Sequence, residues 1–182
     1  MAGWRAMREA ITADRRRLSE YRAAHAAESG SPPFLPFAFL AMLLHRVAHY
    51  LHANGWRMAA RLVWLVNICV TGADIGPAGS IGKGTIIPYP RTVTIYGTVG
   101  EDCVFLGQCG IGGLLRPPLG LPVLGDGVVL APGSLVLGPR TIGRRVHVGP
   151  RCIVTRDVPD DAVIVPDAWR SISRAADAGA AA

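Results

Sequence analysis

A repeat with a period of six residues limits the folds open to this chain more than any other feature of its sequence. Aliphatic or aromatic residues recur at every sixth position without a slip at Ile75, Ile81, Ile87, Val93, Val99, Phe105 and Ile111. The phase resumes at Val123, Val129 and Leu135, shifts by one residue, and continues at Ile142, Val148 and Val154. Such a period predicts a hexapeptide β-helix, in which three hexads form a triangular coil of about 18 residues.

Small residues mark the corners of the repeat, two positions before the next aliphatic residue. They stand at Gly79, Thr85, Gly97, Cys103, Cys109, Gly127, Gly133 and Cys152. Three of the four cysteines therefore occupy positions where a compact apolar side chain packs inward. We expect these thiols to be structural, because a nucleophilic or metal-binding cysteine needs an exposed, electropositive or clustered setting.

The composition changes along the chain and predicts three regions. Residues 1–70 read as an α-helical N-terminal region, with helical stretches at 3–28, 38–53 and 56–69. Residues 71–165 carry the repeat and are expected to form the β-helix. Residues 166–182 are expected to be a C-terminal tail. The predicted fold class is mainly β, with a short helical region preceding the β-helix.

Charge and hydropathy narrow the function classes. The net charge is +6, and six arginines lie in the first 22 residues, yet no nucleic-acid-binding motif accompanies them. The longest apolar stretch, residues 34–44, is too short to cross a bilayer, and no signal peptide or CxxC pair is present. We expect a cytoplasmic protein that binds no nucleic acid. Peripheral contact with a membrane through the basic arm stays open.

Several motifs together resemble the serine acetyltransferase group of hexapeptide acyltransferases, which includes relatives that acetylate exopolysaccharide sugars. The matching stretches lie at 45–50, 71–78, 81–84, 111–113 and 154–162, in the order typical of that group. The resemblance implies a left-handed parallel β-helix and a homotrimer whose active sites lie between neighbouring subunits. It also implies acetyl-CoA as the acyl donor. We expect no metal, because His147 is the only histidine in the predicted prism and cannot form a three-histidine zinc site.

The residues that carry the family's chemistry are altered in this chain. In the family, a histidine oriented by a carboxylate removes the proton of the acceptor hydroxyl. By resemblance, Asp74 stands at the position of that carboxylate, while Tyr89 replaces the histidine and Pro88 replaces the aspartate before it. A second family histidine corresponds to Leu121, and a family glutamate to Gly97. Asp74 and Tyr89 are therefore the predicted catalytic residues.

Binding residues are predicted from the same resemblance and from the repeat. The CoA track of the family corresponds to Gly112, Gly113, Ala131 and Gly133 here, and a basic strip suited to CoA phosphates contains Arg144 and His147. Arg91 breaks the repeat at a corner that is normally small. Residues 114–122 interrupt the repeat and predict an extruded loop that contains Arg116. Both arginines are predicted to bind the acceptor.

Two functions from different classes follow. The first is a divergent acyltransferase that moves an acetyl or acyl group from CoA to a hydroxyl or amine of a small metabolite or sugar. The second is a catalytically inactive trimeric homologue that acts as a scaffold or regulator. Asp74 and the glycine pair at 112–113 favour the enzyme, whereas Pro88, Leu121 and Pro132 favour the scaffold.

Overall fold

A computed structural model describes residues 3–29, 36–114 and 119–166. Three α-helices come first: α1 (Trp4–Ser29), α2 (Pro36–Ala53) and α3 (Arg57–Thr71). Helix α2 packs between the other two, because α1 and α3 both contact it. Helix α3 ends where Gly72 adopts a left-handed conformation with φ 76°, and the Gly72 amide donates to the Ile68 carbonyl at 3.0 Å. No helix in these described ranges has the length and apolar character needed to cross a membrane.

Thirteen short strands follow the helices within the described part of the chain. They are β1 (Asp74–Ile75), β2 (Ser80–Ile81), β3 (Thr94–Ile95), β4 (Thr98–Val99), β5 (Val104–Phe105), β6 (Gly110–Gly112), β7 (Val123–Leu124), β8 (Val129–Leu130), β9 (Leu135–Leu137), β10 (Thr141–Ile142), β11 (His147–Val148), β12 (Ile153–Val154) and β13 (Val163–Ile164).

The strands form the three faces of a left-handed parallel β-helix, which confirms the predicted fold. The first sheet has the order β1-β3-β6-β9-β12, the second β2-β4-β7-β10 and the third β5-β8-β11-β13. Every pairing between these strands is parallel, because successive coils run in the same direction and each strand pairs with the equivalent strand of an adjacent coil. Each coil contributes one strand to the first sheet, so the five strands of that sheet correspond to five successive coils.

The repeat forms the core of the prism. All seven predicted positions from Ile75 to Ile111 are buried. After the loop, however, the predicted phase is wrong: Val123 is 46% exposed, and Val129 and Leu135 are half-buried. The inward positions lie one residue later, at Leu124, Leu130 and Val136, and they continue to Val154 without any shift. The corner positions move likewise, from Gly127 and Gly133 to the buried Val128 and Ser134.

A second departure from the repeat lies between Ile87 and Val99. Ile75 pairs with Ile95, not with Val93, so eight residues separate the inward Ile87 from the inward Ile95. Only four residues then separate Ile95 from Val99. The extra length forms a bulging corner at 88–92, in which Thr92 takes a left-handed conformation with φ 60°. The bulging corner therefore determines that Ile95, and not Val93, is the β3 residue that pairs with Ile75 of β1.

A buried ion pair fastens the helices to the prism. Arg46 of α2 donates from Nε and Nη2 to the carboxylate of Asp14 on α1, at 3.0 and 3.2 Å. The same guanidinium donates to the carbonyls of Ile81 and Gly82, and Asp14 accepts from the amide of Gly84 at 2.9 Å. Two helices and one corner of the first coil therefore share one hydrogen-bonded cluster.

Candidate functional site

A groove of about 520 Å³ lies on the outward face of the first sheet. The outward residues of β6 are Gly110 and Gly112, which form its floor because they carry no side chains. Thr94 and Tyr96 line one side, and Leu135 and Leu137 line the other. Ile111, Gly113 and Leu121 complete the described lining. The groove is thus an apolar trough whose polar side chains are one hydroxyl and one phenol.

The phenol on the polar side of the groove is hydrogen-bonded to a carboxylate. Tyr96 Oη donates to Asp74 Oδ1 at 2.8 Å, and the indole Nε1 of Trp64 donates to the same oxygen at 2.9 Å. Burial raises the pKa of the Tyr96 phenol, and the hydrogen bond to Asp74 raises it further. The phenol therefore keeps its proton at neutral pH and donates it to Asp74.

Strand alternation places these groups together. Ile75 and Ile95 point into the prism, so their neighbours Asp74, Thr94 and Tyr96 face outward. The Tyr96 ring then lies over Gly76, where a Cβ would come within 2.9 Å of two ring carbons. A larger residue at position 76 would displace the ring and break its contact with Asp74.

The two predicted catalytic residues occupy different settings. Asp74 reaches the groove through Tyr96, but the described hydrogen bonds do not join Asp74 to Tyr89. Tyr89 lies at the bulging corner, is 64% exposed, and packs beside Gly107. It does not appear among the described residues that line the groove. Its catalytic role stays a prediction, whereas the sequence reasoning missed Tyr96 altogether.

The predicted binding residues divide between the groove and other faces of the prism. Gly112 and Gly113 line the groove. Ala131 and Gly133 lie between β8 and β9, at the corner that joins the third sheet to the first. Arg144 lies at the corner between the second and third sheets, where it donates to Asp160 at 3.2 Å.

The remaining predicted side chains lie apart from the groove in one subunit. His147 is exposed on β11 of the third sheet. Arg91 is exposed at the bulging corner, over Gly72. Arg116 lies outside the described residues. The roles of these three residues stay predictions.

The cysteines of the β-helix have the properties of packed core residues. Cys103, Cys109 and Cys152 are buried. Burial raises the pKa of Cys103 and of Cys109 to about 11, so both thiols are protonated at neutral pH. Within the described residues, no three His, Cys, Asp or Glu side chains gather as metal ligands would.

Comparison with known proteins places the chain among acetyltransferases, although no family model matches it. The serine acetyltransferase of Mycobacterium tuberculosis is 34% identical over 158 residues, which cover 80% of this chain and 67% of that protein. The serine acetyltransferase of Synechococcus elongatus is 33% identical over 153 residues, covering 82% of this chain. The chain spans only 63% of the length of the Synechococcus protein.

Solved structures agree with these sequence matches. The apoenzyme of soybean serine acetyltransferase superposes with a TM-score of 0.76 at 30% identity, covering 86% of this chain and 65% of that one. A serine acetyltransferase solved in complex with CoA superposes with a TM-score of 0.74 over 88% of this chain and 66% of that one. At 22% identity, the second likeness shows the shared fold alone.

Proposed function

The chain belongs to the serine acetyltransferase family, and we propose that it transfers an acetyl group from acetyl-CoA to the hydroxyl of a small acceptor. The observation that carries the proposal is the glycine-floored groove that runs past Tyr96 and its Asp74 partner. A thioester lying on Gly110 and Gly112 would have its carbonyl carbon beside the polar wall of the groove. The reaction requires proton removal from a hydroxyl at that place.

The floor of the groove supports CoA as the donor. A Cβ built on Gly112 would meet no atom within 4 Å, so the space above this residue is open. The pantetheine arm is a narrow chain with amide groups, and it fits a trough with exposed backbone and aliphatic walls. A relative of the same fold has been solved in complex with CoA, which supports this donor.

We propose serine as the acceptor, because the relatives from Mycobacterium tuberculosis and Synechococcus elongatus are serine acetyltransferases. The described lining of the groove contains no cationic side chain that would bind the serine carboxylate. Arg91, which is exposed at the bulging corner, and Arg116, which lies outside the described residues, are our candidates for that contact. An Arg91→Gln variant should therefore raise the KM for serine more than the KM for acetyl-CoA.

We also propose a homotrimer. Apolar residues are exposed on the outward faces of the prism, among them Val123 at 46%, Ile153 at 62% and Val163 at 69%. These three residues lie on three different sheets and form no single patch, so the proposal rests on the trimer that the family resemblance implies. Arg144 and His147 lie away from the groove of their own subunit, so they would contact CoA phosphates only in a site shared with a neighbour. Sedimentation equilibrium should give three chains per particle.

Calorimetric titration with acetyl-CoA and with CoA tests the donor site. We expect micromolar binding with about one site per chain, followed by thiol release when serine is added. Gly112→Leu tests whether the ligand lies in the groove, because the leucine side chain would fill the open space above residue 112 without disturbing the prism. This variant should lose acetyl-CoA binding and keep the wild-type unfolding transition. Absence of wild-type binding at millimolar acetyl-CoA would contradict the proposed function.

A further inference from the structure

We propose that Tyr96 and Asp74 are the proton-transfer pair of this site. Tyr96 Oη receives the proton of the acceptor hydroxyl, and its own proton passes to Asp74. The inference rests on the proposed acetyl transfer and names the side chains that perform its proton step. It differs from the pair expected from the sequence, which joined Asp74 to Tyr89.

The hydrogen bonds give the pair its direction. Tyr96 Oη lies 2.8 Å from Asp74 Oδ1, and the carboxylate can only accept this bond when it is ionised. The phenol proton is therefore directed toward Asp74, which leaves the lone pairs of Oη to accept a hydrogen bond from a group in the groove. Trp64 donates to the same carboxylate oxygen at 2.9 Å and fixes its position.

The state of the phenol determines how the pair acts. Burial and the bond to Asp74 raise the pKa of Tyr96, so the side chain is not a tyrosinate that could take a proton by itself. It must release one proton as it accepts another. Asp74 is the acceptor that the geometry provides, and the two proton movements are coupled.

In the proposed transfer, the acceptor oxygen forms a bond to the thioester carbonyl carbon, and the π electron pair of the C=O bond moves onto the carbonyl oxygen. In the same step the acceptor's proton moves to Tyr96 Oη and the Tyr96 proton moves to Asp74 Oδ1. The C=O bond then re-forms as the C–S bond breaks, and the sulfur leaves with the bonding electron pair. The proton returns from Asp74 through Tyr96 to the thiolate, which yields free CoA and the acetyl ester and restores both side chains.

Other side chains that could remove the proton do not line the groove. Within the described residues, its wall contains no histidine, lysine, glutamate or cysteine. The Thr94 hydroxyl lines the groove, but none of the described hydrogen bonds links it to a carboxylate. Tyr96 is thus the described groove residue with a direct connection to a base.

Steady-state kinetics with serine and acetyl-CoA, combined with calorimetry, tests the pair. Tyr96→Phe keeps the ring over Gly76 and removes only the hydroxyl, and Asp74→Asn keeps the shape of the side chain. We expect each variant to lose about 10²–10⁴-fold in kcat, while the Kd for acetyl-CoA changes less than about twofold. Tyr50→Phe is the matched control, because Tyr50 lies on α2 outside the groove, and its activity should equal that of the wild type.

Two further readouts separate proton transfer from a structural role. When kcat of the wild type is plotted against the fraction of D₂O in the solvent, the plot should be curved, because two protons move in the same step. The plot for Tyr96→Phe should be linear. The pH profile of kcat/KM should lack the inflection near pH 6.5 that a histidine base gives. An inflection near pH 6.5, or a linear dependence on D₂O content in the wild type, would overturn the pair.

The remaining outcomes are equally decisive. More than about a tenth of the wild-type kcat in Tyr96→Phe would refute the assignment, as would a larger loss in Tyr89→Phe than in Tyr96→Phe. Wild-type protein that binds acetyl-CoA but releases no thiol to serine or water would also refute the pair. Failure of the wild type to bind acetyl-CoA would instead refute the proposed function, and the pair would fall with it.

Discussion

The ion pair between Arg46 and Asp14 gives a stability prediction that can be worked from the structure. The two side chains are 7% and 3% exposed, and they are joined by two hydrogen bonds. Replacing Arg46 by leucine leaves the Asp14 carboxylate buried with the amide of Gly84 as its described donor. It also removes the donors to the carbonyls of Ile81 and Gly82.

The expected loss follows from the penalty for leaving one buried charge unpaired. Removing one partner of such a pair destabilises a protein by about 3–5 kcal/mol. A chain of this length loses about 2–4 °C in Tm per kcal/mol, so Arg46→Leu should unfold roughly 6–20 °C below the wild type. Because Asp14 lies on α1, protease cleavage within that helix should also become faster.

Thermal unfolding and urea unfolding, both followed by circular dichroism, measure the change in Tm and in the free energy of unfolding. The control is Arg145→Gln, which breaks the exposed pair between Arg145 and Asp161 and should leave the unfolding midpoint close to that of the wild type. Asp14→Leu combined with Arg46→Leu should recover part of the loss, since no unpaired charge remains buried. The reasoning is refuted if Arg46→Leu stays within about 1 kcal/mol of the wild type, the range of an exposed pair.

Two further predictions follow from titratable groups. Burial, and next the neighbouring Arg46 and His49, lower the pKa of His45 to about 3, whereas the unfolded chain takes up this proton near pH 6.5. The free energy of unfolding should therefore fall by up to about 1.4 kcal/mol per pH unit as the pH drops from 6.5 toward 3. Urea unfolding at pH 7.5 and at pH 5.0 measures this loss, and the difference between the two pH values should be smaller in His45→Leu than in the wild type. Cys69 is exposed and the other three cysteines are buried. Ellman's reagent should therefore modify one thiol quickly in the native protein and all four in urea. A second thiol that reacts quickly in the native protein would contradict the packing of the cysteines in the prism.

The fold was predictable because one physical pattern repeats. A coil of the β-helix buries one aliphatic residue per face, and stacking requires the next coil to do the same, so the period appears directly in the sequence. All seven positions from Ile75 to Ile111 are buried, and six of them are the inward residues of successive faces; Ile95 takes the place of Val93 in that role. Handedness came from the family resemblance, since the period by itself does not distinguish the two hands.

The phase after the loop was not predictable from the same pattern. Three strands there carry apolar residues side by side, at 123–124, 129–130 and 135–136, so either residue of each pair satisfies the period. The structure places the second residue inward, because Val128 and Ser134 then fill the corners. Glycine at positions 127 and 133 suggested the other choice, but both glycines adopt positive φ, which identifies them as turn residues.

The sequence analysis missed Tyr96 because the irregular spacing around Ile95 leaves the number of residues between Ile87 and Val99 unchanged. Eight residues from Ile87 to Ile95 and four from Ile95 to Val99 make the same twelve as two hexads, so Val93 appears to continue the period. A slip of two residues also keeps every side chain on its own face, whereas a slip of one would turn it over. Ile95 therefore packs inward like Val93, and Tyr96 faces outward within reach of Asp74. The two added residues form the bulging corner at 88–92, where Tyr89 is exposed and does not line the groove in the described residues. The same local change places the Tyr96 phenol against the Asp74 carboxylate.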